Sequence, residues 1–403
     1  MKFNDFKYVR PDYDDVKEKY LNLIDGFKNS KTADEQFLFL KKINALSKNV
    51  ESMSQLVYIR NSINTADEFY HKEKDYMDMT SPKFNGLRVE FYKQLLNSKF
   101  KEELKEKIHP QLITLAEMEI KSFSDEVIPL MQEENRLTNE YEKLLASAQI
   151  DFDGKVLNLS QLGKYKQSTD RAVRKAAYEA EAGFYLKNSD ALDNLYDQLV
   201  KIRTRMAREM GYENFVELGY YRMMRNSYTK EDVAQFRGYV KKYIVPIVTE
   251  LKKEQQRRIK VDKFMLYDDP LEFLSGNATP KGDPEHIFAQ GKKMYSELSP
   301  QTEEFMNFML ENELFDVISR KGKAVGGYST TIPDFKAPFI FANFNGTSGD
   351  IDVLTHEAGH AFASYLARDF KISDYRSPTM ESCEIHSMSM EFFTWPWMHL
   401  FFE

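Results

Sequence analysis

The sequence predicts a mainly α-helical, elongated protein of two lobes with one small β-sheet. Apolar residues recur three and four positions apart through most of the chain, which is the spacing of helices that bury one face. Segments typical of strands are short and few. A chain of 403 residues is too long to fold around one small hydrophobic core, and its 42% hydrophobic residues are enough for a packed interior.

The first lobe, residues 1–165, is predicted to be a helical scaffold. Helical spacing runs from position 12 to about 147, and the stretch 110–148 predicts one or two long antiparallel helices. Breaks are predicted at Asn29–Ser30, Thr80–Pro82 and His109–Pro110. Alternating apolar and polar residues then flank Asp153–Gly154, which indicates a β-hairpin.

The second lobe, residues 166–403, is predicted to carry the chemistry. Helices are expected from Ser168 to a glycine stop at Gly211 and from Lys230 to about Lys260, and another begins at Asp283–Pro284. Two extended segments, 324–332 and 338–346, predict a small sheet directly before a further helix.

Composition excludes several classes of partner. The chain has 56 basic and 63 acidic residues, a net charge of -7, and no basic cluster, so we expect no nucleic acid partner. No segment reaches the roughly eighteen uninterrupted apolar residues of a membrane span, and the start lacks a secretory signal. With the single cysteine, Cys383, this predicts a cytoplasmic protein without disulfides. No pattern indicates an oligomeric state.

The C-terminal run Trp397–Glu403 is apolar and apparently helical, with no capping residue or polar tail. We therefore expect this chain to be a piece of a longer protein.

The sequence between His356 and His360 is an HExxH motif in a helical context. Residues four apart lie on one helical face, so both imidazoles reach one metal ion, with Glu357 beside them. Zinc prefers such ligands, and a catalytic zinc site has three protein ligands with one position left for water.

The third ligand has seven downstream candidates, and spacing does not separate Glu384 from Glu381 or Glu391, which share its helical face. The candidates are Asp369, Asp374, Glu381, Glu384, His386, Glu391 and His399.

Three motifs together carry a family resemblance: residues 344–347 (FNGT), 356–362 (HEAGHAF) and 384–391 (EIHSMSME). The chain resembles the oligoendopeptidase F branch of the M3 thimet oligopeptidase family of zinc metallopeptidases, most strongly over residues 324–403. The resemblance implies a zincin-type fold with a deep substrate channel and one Zn²⁺ held by His356, His360 and Glu384. It also implies cleavage of internal bonds in short peptides, with Glu357 as general base.

Further roles are hypotheses. Asp352, one turn before His356, is expected to orient that ring, and Glu391 to orient His360. A peptide is expected to add to a strand edge at Phe341, Ala342, Asn343 and Phe344, with His386 near it. A plain buried strand is the alternative for this segment.

Two other functions compete with the peptidase. One is a helical binding scaffold with a coincidental HExxH, and the other is a zincin that acts on a non-peptide amide. Family members continue beyond the Glu384 helix and supply histidine and tyrosine residues that contact substrate, which nothing in this sequence matches. If the chain ends at Glu403, we expect zinc binding with impaired turnover.

Overall fold

The computed structural model describes residues 1–402, and 68% of the chain is helical. The helices are α1 (Tyr13–Asn29), α2 (Ala33–Ile63), α3 (Glu68–Leu96), α4 (Lys101–Lys105), α5 (Gln111–Ser122), α6 (Ile128–Ala146), α7 (Gly163–Lys166), α8 (Arg171–Lys187), α9 (Ser189–Glu209), α10 (Phe215–Arg222), α11 (Lys230–Tyr239), α12 (Val245–Arg258), α13 (Pro284–Leu298), α14 (Pro300–Glu311), α15 (Gly349–Ala367) and α16 (Met380–Thr394). The strands are β1 (Ile150–Phe152), β2 (Lys155–Leu157), β3 (Phe315–Ile318), β4 (Tyr328–Ile332) and β5 (Ala337–Phe344). The mainly helical fold class is confirmed.

No helix among residues 1–402 is long and apolar enough to cross a membrane. The division into two lobes at residue 165 stays a prediction.

Helix α3 is continuous, so the break predicted at Thr80–Pro82 is wrong. A proline inside a helix leaves the carbonyl four residues earlier without its usual donor. Here the Asp78 carbonyl accepts a hydrogen bond from Nδ2 of Asn135 on α6 at 2.8 Å. A tertiary contact therefore satisfies the group that would otherwise end the helix.

Several local predictions are confirmed. Strands β1 and β2 pair antiparallel, and Asp153 and Gly154 both have positive φ, as the two-residue turn requires. Gly211 ends α9 with φ +85°, and the Tyr212 N–H reaches the Ala207 carbonyl at 2.9 Å. Asp283 caps α13 by accepting the His286 N–H at 2.9 Å.

The sheet beside α15 has three strands in the order β3-β5-β4, because β3 pairs parallel with β5 and β4 pairs antiparallel with it. The sequence predicted β4 and β5 but missed β3, which is four residues long and contains Asp316. The central strand, β5, is apolar and almost wholly buried, as expected for a strand covered on both faces. It belongs to the core that includes Ile351, Leu354 and Ala358 of α15.

Lys323 connects strands β3 and β5 through its side chain. Its side chain is fully buried, and its ammonium group donates to the carbonyls of Asp316, Ile318 and Ala342 at 3.1, 3.1 and 2.5 Å. The Asp316 carboxylate lies 2.6 Å from the same nitrogen. Burial lowers the pKa of Lys323 to about 8, so the ammonium form persists at neutral pH.

Replacing Lys323 with Met should lower the free energy of unfolding by about 3–5 kcal/mol, because three carbonyls and a carboxylate lose their shared donor. Urea unfolding measures the change. Lys321→Met, at an exposed position two residues earlier, is the matched control and should change little. Equal small effects of both substitutions would show that Lys323 does not hold the strands together.

Candidate active site

The turn between β5 and α15 fixes where the HExxH helix begins. The Asp350 carboxylate accepts the backbone N–H groups of Asn345 at 2.9 Å and Gly346 at 2.8 Å, and Gly346 has φ +83°. Ser348, at the N-cap position, makes no side-chain capping bond. Asp350 thus connects the end of β5 to the first turn of α15.

His356, His360 and Glu384 come together across α15 and α16. Their ligand atoms all lie within 4.8 Å of one another. The Nε2 atom of His356 is 3.1 Å from Oε2 of Glu384, and Nε2 of His360 is 3.7 Å from Oε1 of Glu384. Ligands of a tetrahedral zinc ion at about 2.1 Å are about 3.4 Å apart, so this donor set fits Zn²⁺.

Among the other candidates for the third ligand, Glu391 contacts His356 and His386 contacts His360, both through Nδ1 of the ring. The remaining four have other partners. Glu381 pairs with Arg225, Asp369 pairs with Lys336, Asp374 accepts a hydrogen bond from Tyr92, and Nδ1 of His399 lies 3.0 Å from the Pro396 carbonyl oxygen. Of the three glutamates that spacing left open, Glu384 is the one whose carboxylate faces both His356 and His360.

Gly359, between the two histidines, allows α15 and α16 to pack closely. A Cβ atom at this position would lie 2.6 Å from Cα of Ser387 and 2.9 Å from the carbonyl oxygen of His386. Both atoms are backbone, so α16 would have to move. Ser387 is fully buried, and its hydroxyl donates to Oε2 of Glu384 at 3.0 Å. The sequence analysis assigned no role to Gly359 or Ser387. The glycine inside the HExxH helix was the signal that could have indicated a close helix contact.

Glu391 orients His356, whereas the sequence expectation assigned it to His360. Its Oε1 atom is 2.6 Å from Nδ1 of His356, which directs Nε2 of that ring toward Glu384. The expectation that Asp352 would hold His356 is not supported, because no hydrogen bond joins them among residues 1–402. One helical turn separates the two residues along α15, while Glu391 reaches the ring from α16.

The side chain of His386 contacts the ring of His360. Its Nε2 atom is 3.2 Å from Nδ1 of His360, and the two rings are perpendicular with centroids 5.2 Å apart. Burial lowers the pKa of both imidazoles, which favours the neutral form that a metal ligand requires. His386 was predicted to lie near substrate, and in the structure it contacts the His360 ring.

Glu357 is buried beside the cluster, and its Oε2 atom has no hydrogen-bond partner among the described residues. Burial raises the pKa of its carboxyl group to about 7; His356 lowers the pKa and Glu384 raises it. A carboxylate with a pKa near neutrality accepts and returns a proton readily.

The strand predicted to hold substrate is not an edge. Phe341, Ala342, Asn343 and Phe344 lie on β5, which is hydrogen-bonded to β3 on one side and β4 on the other. Phe341 and Ala342 are buried, and Asn343 donates its side-chain amide to the carbonyls of Ala324 and Gly326. A buried central strand has no free ladder for a peptide, so this expectation is wrong.

The site has the features of an HExxH metal centre. Two histidines lie four residues apart on one helix, a carboxylate on a second helix faces both of them, and a buried glutamate beside them has an oxygen without a partner among residues 1–402. Residues 3–123 match the family model described as the peptidase M3 N-terminal domain, and residues 164–272 and 292–402 match the model described as peptidase family M3. The chain belongs to peptidase family M3.

Solved structures and curated relatives agree with this membership. A Bacillus anthracis protein assigned provisionally as an oligoendopeptidase F is 53% identical with a TM-score of 0.99, over 100% of this chain and 74% of that one. PZ peptidase A with an inhibitor is 49% identical with a TM-score of 0.99, and the match covers 100% of this chain and 71% of that one. The oligoendopeptidase F homolog of Mycoplasma genitalium is 23% identical over 93% of this chain and 61% of the relative. Oligopeptidase PepF of Bacillus subtilis is 24% identical over 56% of this chain and 33% of the relative.

The predicted oligoendopeptidase F branch is confirmed by these matches. The chain spans between about a third and 61% of the length of the curated relatives it matches.

Gly359→Ala should force α16 away from α15, lowering the free energy of unfolding by about 1–3 kcal/mol and weakening zinc affinity by about 10–100-fold. Denaturant unfolding and competition with a zinc-binding dye measure the two effects. The control is Gly183→Ala on α8, where a Cβ meets nothing within 4 Å, and a gain of about 0.5–1 kcal/mol is expected. Unchanged zinc affinity in Gly359→Ala would refute the close-packing explanation.

Glu391→Gln should weaken zinc affinity by about 10–100-fold, because the carboxylate that fixes the His356 ring is lost. Asp352→Asn should leave zinc affinity within about twofold. The same competition titration compares the two variants. If Asp352→Asn weakened binding more than Glu391→Gln did, the assignment of these two carboxylates would be reversed.

Proposed function

We propose that this chain provides the catalytic centre of a zinc-dependent endopeptidase that hydrolyses internal bonds of short oligopeptides. The observation that carries the proposal is the convergence of His356, His360 and Glu384 beside the buried Glu357, whose Oε2 atom has no partner among residues 1–402. Membership of family M3 and the oligopeptidase names of the relatives support the substrate class. We also propose a cytoplasmic location, which suits the free cysteine Cys383.

His356, His360 and Glu384 would hold one Zn²⁺ ion per chain, which would supply a Lewis acid for the scissile carbonyl and would lower the pKa of a water molecule. Glu391 keeps Nε2 of His356 directed at the cluster, and Ser387 holds the Glu384 carboxylate. Glu357 takes the proton of the attacking water and delivers it to the leaving amine. Its buried carboxyl group, with a pKa of about 7, suits both transfers.

Strand β4 is the better candidate for binding the peptide backbone. It pairs with β5 on one side only, and no backbone hydrogen bond joins it to another element within residues 1–402. Its neighbour Gly327 lies near Val353 of α15, one turn before His356. A peptide that extends this edge binds through main-chain hydrogen bonds, which gives broad side-chain tolerance.

The competing scaffold reading explains the site less well. A coincidental HExxH would leave no reason for a buried glutamate without a partner or for a carboxylate on a second helix facing both histidines. A site for a non-peptide amide would not need the free β4 edge or the large cavity that adjoins His386.

Glu357→Gln should reduce kcat for a quenched fluorescent peptide by at least about 10²-fold, because the proton acceptor is lost while the side-chain shape is kept. Zinc content, measured by atomic absorption, should stay near one ion per chain, and a chelator should abolish the activity of the unmodified chain. Equal cleavage by both proteins would exclude Glu357 as the base, and absence of zinc from the unmodified chain would exclude the metal centre.

A further inference from the structure

The large cavity that adjoins His386 extends from the proposed metal site to the loop between α15 and α16. Its volume is about 1350 Å³, above the roughly 300–1,000 Å³ of typical small-molecule sites. Its walls come from α2, α3 and α5, from the end of α15 and from the segment 373–379. His386 lines the cavity and contacts His360, one of the proposed metal ligands. The cavity is therefore placed to receive part of a peptide held at the metal site.

Arg376, in the wall of this cavity, has hydrogen-bond donors without a partner. The only hydrogen bond of its side chain to residues 1–402 runs from Nε to the Phe370 carbonyl, and at 3.4 Å it is long. Its Nη1 atom is buried and has no partner among these residues. A guanidinium group stays protonated in proteins and offers its N–H donors in a fixed planar fork. The fork of Arg376 is therefore largely unused.

The other arginine of the wall is already paired. Arg88 forms an ion pair with Glu119, which also lines the cavity. Asp374, a second carboxylate of the wall, accepts a hydrogen bond from Tyr92. None of these contacts involves Arg376.

Glu51 on α2 is the remaining carboxylate of the wall. It is exposed, and although it lies close enough for its charge and that of Arg376 to attract, it forms no ion pair with any of residues 1–402. An exposed carboxylate at such a distance is hydrated and screened, so it compensates the guanidinium charge only in part. A carboxylate supplied by a ligand would instead pair with Arg376 directly.

The backbone around Arg376 is held in place by contacts with other elements. The Arg376 N–H donates to the Ser373 carbonyl at 3.0 Å, which closes a turn before α16. The Ser373 N–H donates to Oδ1 of Asn44 on α2 at 3.2 Å, and the Tyr375 hydroxyl donates to the His109 carbonyl at 3.1 Å. A fixed turn thus presents the guanidinium group, so a ligand would need to order little of the chain.

We propose that Arg376 binds a carboxylate of the bound peptide, either the α-carboxylate of its C-terminus or an acidic side chain. This inference rests on the proposed peptidase function and specifies its substrates: peptides that bring one carboxylate into the cavity. The guanidinium fork matches both oxygens of a carboxylate, and such charge-assisted pairs change affinity by about 10–100-fold.

Binding to the full chain in the Glu357→Gln background, with zinc supplied, tests the proposal without turnover. Three N-acetylated peptides of equal length serve as probes: one with a free C-terminal carboxylate and no acidic residue, its C-terminal amide, and an amide that contains one glutamate. Adding Arg376→Gln should raise the dissociation constant of at least one carboxylate peptide about 10–100-fold and leave that of the neutral amide unchanged, as measured by calorimetry. Arg376→Lys keeps the charge but loses the planar fork, so it should recover part of the affinity.

Two further variants separate a direct contact from a general effect of charge. Lys371→Gln removes an exposed positive charge from the same loop, outside the cavity, and as the matched control should change no dissociation constant. Glu51→Gln removes a carboxylate that competes for Arg376, so it should weaken the binding of no peptide. If Arg376→Gln does not fold, Arg376→Lys carries the test, since it should weaken the carboxylate peptides selectively but by less.

A loss confined to the free C-terminus assigns the site to the α-carboxylate, a loss confined to the glutamate peptide assigns it to an acidic side chain, and a loss for both shows that the site accepts either. Equal changes for all three peptides, no change, no binding of any peptide, or an equal loss in Lys371→Gln would overturn the proposal. An equal loss in Glu51→Gln would also overturn it, because Arg376 would then act as the partner of Glu51.

Cleavage by the unmodified chain is scored separately. Carboxylate-selective binding without cleavage contradicts the proposed function alone, and cleavage without carboxylate selectivity contradicts the role of Arg376 alone.

Discussion

The contact between α15 and α16 at Gly359 is the constraint on which the site depends. The absence of a side chain there lets the backbone of Ser387 approach the HExxH helix, and the hydroxyl of the same serine holds the Glu384 carboxylate. One point of contact therefore sets both the separation of the helices and the direction of the Glu384 carboxylate, the proposed third ligand. The neighbouring turn of α16 then places Glu391 against His356.

The three glutamates of the site have the same side chain and three environments. Glu384 is half-exposed and faces two imidazoles, Glu391 is bound to His356, and Glu357 is buried with one oxygen unpaired. Burial without a compensating donor raises the pKa of the Glu357 carboxyl group. The different environments of these three glutamates suit the different roles proposed for them, which are metal ligand, orienting group and base.

Sequence reasoning reached what local chemistry determines. Helical periodicity, the hairpin at Asp153–Gly154 and the His356–His360 pair follow from contacts within a few residues. The continuity of α3 through Pro82 depends on Asn135, more than fifty residues away, and no local pattern contains it. Glu384 was singled out by family resemblance, since spacing left Glu381 and Glu391 equally placed. The central position of β5 was hidden because its partner β3 is short and carries a charge.

Strand β4 and the large cavity that adjoins His386 share one wall, helix α2. The hydroxyl of Thr330 on β4 donates to Gln55 at 2.8 Å, and the Asp334 N–H donates to Ser52 at 2.7 Å, so β4 and the residues after it follow this helix. A peptide that extends along β4 would therefore approach this cavity. Backbone pairing along β4 would give tolerance of side-chain sequence, and the walls of the cavity would contact another part of the same extended peptide.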